Sequence, residues 1–215
     1  MPQAVRFVAI PILATVLYFG SAGRLDLPLA WVYVAVLVGE RLAVAAGIDP
    51  GLVHERIQPG PGGIDRHIRA LIFPFYSAHL VVAGLDVRYG WSPIPAALRL
   101  AGLLGLLLAL TLSVWAIHVN RFFSPVVRIQ TDRGHCVVDS GPYRFVRHPG
   151  YLAALGEFLF GGLLLGSWWA LLPLAGGPFF MLRRTVLEDR YLRESLAGYA
   201  DYAQRVRYRL VPGVW

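Results

Sequence analysis

The chain has 215 residues, of which 56% are hydrophobic and only 15% are charged. Ordinary soluble domains are about 45–50% apolar, so this composition excludes that class and predicts a polytopic helical membrane protein. The net charge of +7 comes from arginine alone, because the sequence has no lysine. In a membrane protein such a charge favours contact with anionic lipid head groups over nucleic-acid binding. The single cysteine, Cys136, excludes an intrachain disulfide and a thiolate metal cluster, and we expect no metal site.

Six apolar blocks predict six transmembrane helices, within a range of five to seven. We expect them at residues 4–20, 28–47, 69–89, 96–118, 151–166 and 168–187. The first block lacks a small-residue cleavage pattern, so we interpret it as a transmembrane helix rather than a signal peptide. Pro173 and the Gly-Gly-Pro run at 176–178 should bend or divide the last block. Residues 48–67, which are rich in glycine and proline, are expected to form a loop.

The arginines predict how the chain lies in the membrane. If the six helices alternate in direction, loops 48–69, 119–150 and 183–215 share one side with the N-terminus, and these loops hold most of the 20 arginines. The positive-inside rule places this side, with both termini, in the cytoplasm. We expect a bacterial inner membrane or a plasma membrane. The long polar loop and the tail would therefore meet on the cytoplasmic side.

Residues 128–151 form the longest polar interruption between the apolar blocks, and chemically versatile side chains collect at its end. Pro149 suits the first position of a helix, so a helix should begin with Arg147 and His148 at its mouth. Free backbone N–H groups beside a guanidinium make a receptor for a carboxylate or a phosphate. The alternative is that Arg147 and Tyr151 only extend to the membrane interface and cap the helix.

Acidic residues in the following helices are further candidates. Glu157 lies about two turns into the next apolar block, where an ionisable group is energetically costly, and it is either a ligand contact or the partner of an arginine. Glu188 and Asp189 form a carboxylate pair that could accept hydrogen bonds from ribose hydroxyls or an ammonium group, or could end a solvated helix. Tyr199 and Tyr202 could cover the site or lie on lipid head groups. No Walker loop or Gly-x-Gly-x-x-Gly run is present, so a nucleotide-like cofactor would be held without a Rossmann sheet.

Three segments together resemble the isoprenylcysteine carboxyl methyltransferase family, whose members are integral membrane enzymes related to the phospholipid N-methyltransferases. The segments are GHCVVDSGPYRFVRHPGYL at residues 134–152, the acidic pair Glu188-Asp189, and YADYAQRVRYRLVPGVW at residues 199–215. The family pattern combines an Arg-His-Pro turn closely followed by tyrosine, a hairpin of membrane helices and a Glu-Glu pair. The resemblance covers about residues 126–215, and Asp189 stands where the family has a glutamate.

The resemblance implies a transferase that uses S-adenosylmethionine in a cytoplasmic-side pocket and methylates a lipophilic acceptor arriving from the bilayer. We expect a single membrane domain, residues 1–215, with residues 1–118 as a four-span scaffold and residues 119–215 as the catalytic region. The residues expected to bind the cofactor are His135, Val137, Val138, Gly141, Tyr143, Arg147, His148, Tyr151, Glu188 and Asp189. The residues expected to be catalytic are Arg147, Tyr151 and Glu157.

The acceptor decides which groups the chemistry needs. A carboxylate acceptor is already deprotonated at neutral pH and needs only a cation such as Arg147 to orient it, whereas an amine acceptor needs Glu157 or His148 to take its proton. We expect carboxyl O-methylation of an isoprenylcysteine-like acceptor, with phospholipid or amine N-methylation as the alternative. An NADPH-dependent sterol-reductase-like enzyme and a non-enzymatic lipid-binding protein are the remaining alternatives.

Overall fold

The computed structural model describes residues 3–61, 63–65 and 67–215, with the side chains of all of these except residues 3–8, 69, 174 and 175. Helices dominate the described residues, and no strand occurs among them, so the expected all-helical fold is confirmed. The α-helices of this part are α1 (Gln3–Ala22), α2 (Pro28–Gly47), α3 (Pro50–Ile57), α4 (Ile68–Tyr89), α5 (Ala96–Val119), α6 (Pro149–Leu165), α7 (Gly177–Ser195) and α8 (Tyr199–Arg205).

Several of these helices have the length and composition of membrane spans. Pro28–Gly47, Ala70–Tyr89 and Ala96–Val119 contain 20, 20 and 24 residues, and about 20 apolar residues cross a bilayer core. Two shorter apolar helices, Ala9–Ala22 and Pro149–Leu165, pack beside them. The chain is therefore an integral membrane protein built of apolar helices. The total of six spans stays a prediction.

The last predicted span, residues 168–187, is divided near Pro173, as the sequence predicts. A 3-10 helix covers Trp169–Ala175, and α7 then begins at Gly177. Proline has no backbone N–H to donate, so a regular helix does not continue through it undisturbed. The second half of α7 is rich in charge and carries Glu188 and Asp189 to the polar end of the bundle.

Residues 48–67 are not the simple loop that the sequence predicts, because they contain α3. Asp49 caps this helix, and its Oδ1 accepts a hydrogen bond from the Leu52 N–H at 2.8 Å. Pro50 follows at the first helical position, where no N–H is needed. The Asp-Pro pair is a local signal for a helix start, and the Gly- and Pro-rich run after it obscures that signal. Positions 62 and 66 of this stretch lie outside the described residues.

Helices α5 and α6 pack closely because small residues meet at their contact. A Cβ atom on Gly102 of α5 would lie 2.6 Å from the backbone nitrogen of Leu164 in α6, closer than real Cβ contacts come. A Cβ atom on Gly156 of α6 would lie 2.9 Å from the Cβ of Ala109 in α5. Small residues let two membrane helices approach closely. The packing of α5 against α6 brings together the two ends of the polar segment 120–148, which connects these helices.

Two hydrophobic clusters organise the bundle and its polar end. The larger one lies between α1, α2, α4, α5 and α6, where Tyr33, Leu80 and Leu106 are almost fully buried. The smaller one includes Tyr199 and Tyr202 of α8, and Ile129 and Val137 of the polar segment pack against it. The polar segment, the charged half of α7 and α8 are therefore gathered at one end of the bundle.

Candidate functional site

A pocket opens at the polar end of the bundle, between segment 120–148, the start of α6, α7 and α8. Its volume is about 800 Å³, counted with the solvent space at its mouth. Concave sites where several elements meet are the usual binding places of small molecules.

Most of the side chains predicted for the site meet in this pocket, although they come from separate segments of the chain. The predicted residues that line it are His135, Val137, Val138, Tyr143, Arg147, His148, Tyr151 and Glu188. Three other predicted residues, Gly141, Glu157 and Asp189, are not part of the lining. Tyr199 and Tyr202 of α8 do line the pocket, so these tail tyrosines form part of its wall.

Gly141 and Glu157 lie in different surroundings. Gly141 begins a 3-10 turn with a φ of 55°, a conformation that glycine adopts without strain, and it lies against Trp115 of α5. Glu157 is half-buried in α6, within electrostatic reach of Tyr33 and Arg41 of α2. Its expected catalytic role stays a prediction.

Asp189 lies behind the pocket wall, and several side chains reach its carboxylate: Arg147, His148, Arg193, Tyr199 and Arg209. Arg147 donates twice, from Nε to Oδ1 at 2.6 Å and from Nη2 to Oδ2 at 3.0 Å. Burial by itself raises the pKa of Asp189, but its interactions with the neighbouring His148 and Arg147 outweigh this effect, so the pKa lies well below its ordinary value. Asp189 is therefore a buried, ionised carboxylate whose hydrogen-bond donors come from the protein.

The tail, residues 206–215, lies along the turn that precedes α6. The backbone N–H of Arg147 donates to the carbonyl of Tyr208 at 3.0 Å. The guanidinium of Arg147 adds bonds from Nη1 to the carbonyls of Val206 and Arg207, at 2.6 and 2.7 Å. Its side chain is only 1% exposed. Most N–H groups of Arg147 are therefore engaged inside the protein. Its expected role in orienting an acceptor stays a prediction.

Glu188 faces the pocket from α7 and holds Tyr151, whose hydroxyl donates to Oε2 of Glu188. Arg184, one turn earlier in α7, has its Cζ 5.6 Å from the Tyr151 ring centroid, a cation–π contact. The Nε of Arg184 lies 2.8 Å from Oδ2 of Asp65, which is 4% exposed. The loop before α4 therefore supports the site through Asp65, a contribution that sequence reasoning missed.

Arg128 lines the pocket and is held by Glu55 of α3, which sequence reasoning also missed. Arg128 donates from Nε to Oε1 at 2.9 Å and from Nη2 to Oε2 at 2.6 Å, a bidentate pair. Ser124 donates to the same carboxylate at 2.7 Å. Burial raises the pKa of Glu55, but these hydrogen bonds outweigh it and lower the pKa below its ordinary value. Helix α3, from the N-terminal half of the chain, therefore holds this part of the pocket wall in place.

His135 faces the pocket as a neutral imidazole. Its Nδ1 accepts a hydrogen bond from the backbone N–H of Gln130 at 3.2 Å, so the proton of the neutral ring lies on Nε2. Burial, together with the positive charges of Arg128 and Arg133, lowers the pKa of His135 to about 4. The ring lies against Phe122, with centroids 4.4 Å apart. His135 therefore supplies an uncharged N–H donor at neutral pH.

We expect the stability of the protein to rise from about pH 4 to about pH 6.5 through His135. In this window the unfolded chain binds the imidazole proton and the folded protein does not, and stability rises with pH wherever the unfolded state binds more protons. His135→Gln should flatten this part of the profile, whereas replacement of the exposed His54 should leave it unchanged. Denaturant unfolding in detergent across the window measures the effect, and an identical slope in His135→Gln contradicts the assignment.

Comparison with known proteins gives a match to one family. Residues 100–194 match the isoprenylcysteine carboxyl methyltransferase (ICMT) family. The matched segment holds most of α5, the polar segment, α6 and nearly all of α7, and with them Arg147, Tyr151 and Glu188. No curated protein matches the chain. The match confirms the family resemblance seen in the sequence, and it includes residues 134–152 and the pair Glu188-Asp189 but not the tail segment 199–215.

Proposed function

From the match of residues 100–194 to the isoprenylcysteine carboxyl methyltransferase family, a family of membrane methyltransferases, we propose that the chain is an S-adenosylmethionine-dependent enzyme with a small lipophilic acceptor. The proposed reaction is carboxyl O-methylation of an isoprenylcysteine-like acceptor that enters from the bilayer. The observation that carries the proposal is the pocket, whose wall combines the turn 147–151, Glu188 and three further tyrosines.

The residues of the pocket suit a cofactor that carries a sulfonium and an amino group. Glu188 presents a carboxylate to the pocket, and a carboxylate binds an ammonium group by charge-assisted hydrogen bonds. Tyr143, Tyr199 and Tyr202 add aromatic rings, whose faces attract cations. S-adenosylmethionine, when bound, supplies an electrophilic methyl group. Residues 135–138 line the same space and would contact the nucleoside.

The protein contributes position and the exclusion of water to this reaction. A carboxylate acceptor is ionised at neutral pH, so its methylation needs no general base. Holding the two reactants at attack distance can supply about 7–11 kcal/mol of the reduction in the barrier. Arg147 and His148 are only 4% and 5% exposed, so water does not reach the pocket through this part of its wall.

We also propose that the pocket lies on the cytoplasmic side of a bacterial inner membrane or plasma membrane. The support is the concentration of arginine in the polar segment, α7 and the tail, since the positive-inside rule assigns such segments to the cytoplasm. The ion pairs of Glu55 and Asp65 with the C-terminal half support a single domain over residues 1–215.

We expect S-adenosylhomocysteine to stabilise the detergent-purified protein and NADPH to leave it unchanged. A ligand present at about 100 times its Kd adds about 2.7 kcal/mol to the stability of the native state. Glu188→Ala should lose this stabilisation and still fold, because Glu188 lies on the pocket surface. Glu194→Ala, which removes an exposed glutamate of the same helix, should retain it. Thermal unfolding of the wild type and both variants, with and without each ligand, measures the effect.

The alternatives give different results in the same experiment. Stabilisation by NADPH alone indicates the reductase, and stabilisation by neither ligand contradicts the proposed enzyme. Radiolabelled S-adenosylmethionine then separates the acceptors. A base-labile label on an isoprenylcysteine analogue shows a methyl ester, whereas a base-stable label on phosphatidylethanolamine shows N-methylation.

A further inference from the structure

Arg209 of the tail joins three parts of the site. Its backbone carbonyl accepts a hydrogen bond from the N–H of His148 at 2.9 Å. Its Nε donates to Oδ2 of Asp189 at 3.0 Å. Its guanidinium lies over Trp215, with Cζ 5.1 Å from the ring centroid. Arg209 therefore connects the turn before α6, the end of α7 and the rest of the tail.

Asp189 is surrounded by protein donors and has no face toward the pocket. Its side chain is 1% exposed, and it is not part of the pocket lining. An ionised carboxylate has about four lone-pair sites. Five hydrogen bonds reach this carboxylate, two from Arg147 and one each from Arg193, Tyr199 and Arg209. A ligand group would have to displace one of these donors before it could bind Asp189.

The carboxylate of Asp189 also holds a wall of the pocket. Tyr199 lines the pocket and donates to Oδ1 of Asp189 at 3.1 Å. Tyr202 lines the pocket beside it and donates to the carbonyl of Tyr143 at 2.8 Å. The rings of Tyr199 and Tyr202 are 5.3 Å apart in an edge-to-face contact. A change that breaks the hydrogen bonds of Asp189 therefore weakens the attachment of both α8 and the tail.

We propose that Asp189 and Arg209 are positioning residues, whose ion pair docks the tail against the His148 turn and so completes the pocket without contacting the cofactor. The identity of the cofactor rests on the proposed function, but the docking of the tail does not. The carboxylate of Asp189 lies behind the wall, where Arg147 and Arg209 reach it together.

Two quantities measured on the same purified proteins test the proposal. The first is the Kd of S-adenosylhomocysteine, measured at a temperature where every variant is folded. The second is the rate of tryptic cleavage after Arg205, relative to cleavage after the exposed Arg144. The variants are Asp189→Asn, Arg209→Gln and the double substitution. Arg207→Gln is the control, because its side chain is an exposed neighbour in the same tail.

We expect Asp189→Asn and Arg209→Gln each to raise the Kd about tenfold and to raise the relative cleavage rate by a similar factor. The double variant should be no worse than the more affected single variant, since both substitutions break one interaction. Arg207→Gln should change neither quantity. Asp189→Glu keeps the charge and should restore part of the protection from trypsin. Because Arg209 is 30% exposed, its variant folds even if Asp189→Asn does not.

Two results overturn the proposal, and a third separates it from the proposed function. A raised Kd with unchanged cleavage in Asp189→Asn makes Asp189 a direct ligand of the cofactor. Faster cleavage with an unchanged Kd shows that the docked tail does not complete the pocket. If the wild type does not bind S-adenosylhomocysteine, the proposed function fails and the cofactor part of this proposal fails with it, whereas the cleavage rates still decide whether the ion pair docks the tail.

Discussion

Replacing Arg147 with alanine should lower the free energy of unfolding by about 3–5 kcal/mol, the usual cost of removing one partner of a buried ion pair. The guanidinium donates to both oxygens of Asp189 and to the carbonyls of Val206 and Arg207, and its side chain is 1% exposed. Without it, the carboxylate of Asp189 loses its bidentate partner and the tail loses its anchor on the turn before α6. Denaturant unfolding in detergent measures the loss.

Arg144→Ala is the matched control for Arg147→Ala. Arg144 lies in the same polar segment three positions earlier, and it is exposed. Exposed substitutions away from special features change stability by about 0.5 kcal/mol or less. If both variants are equally stable, the ion pair of Arg147 with Asp189 contributes nothing to the fold, and Arg147 acts only on bound ligands.

Replacing Glu55 with alanine should also cost about 3–5 kcal/mol, although Glu55 lies far from the pocket residues in the sequence. Its carboxylate is 3% exposed and holds Arg128 by two hydrogen bonds, so its removal leaves a buried guanidinium with an incomplete set of acceptors. We expect the binding of S-adenosylhomocysteine to weaken as well, because Arg128 lines the pocket. Unfolding and binding are measured on the same preparation.

Asp132→Ala is the control for Glu55→Ala. It shows whether stability depends on the buried partner of Arg128 or on any negative charge beside it. Asp132 also pairs with Arg128, at 2.8 Å, but it is 56% exposed. An exposed ion pair contributes about 0–1 kcal/mol. The expected order is therefore a large loss for Glu55→Ala and a small one for Asp132→Ala. Equal losses from the two substitutions would show that α3 is not the support of the pocket wall.

The apolar elements could be predicted closely, because an apolar block of membrane length has few alternatives to a spanning helix. The block predicted at residues 28–47 coincides with α2, and Pro149 is the first residue of α6. The place of the site could be predicted too, since the polar residues of 128–151 interrupt the apolar blocks. The local sequence determines all three features, which are the bounds of α2, the start of α6 and the place of the site.

The partners of the charged residues could not be predicted in the same way. Glu55 and Arg128 are 73 positions apart, and nothing in the local sequence relates them. A buried charge needs a partner, but the choice of partner depends on where α3 lies in the fold. The pair Glu188-Asp189 illustrates the point, because successive residues of an α-helix point about 100° apart. Only Glu188 faces the pocket, and Asp189 turns toward the tail.

The close approach of α5 and α6 at Gly102 has a consequence for the order in which the protein assembles. The two helices hold the ends of the polar segment 120–148 together, and joining the ends of a flexible loop costs conformational entropy that grows slowly with its length. Association of α5 with α6 in the bilayer brings these two ends together. The entropy of loop closure is therefore lost before the pocket residues become ordered. A bulky side chain at Gly102 would therefore delay the assembly of a pocket that it never touches.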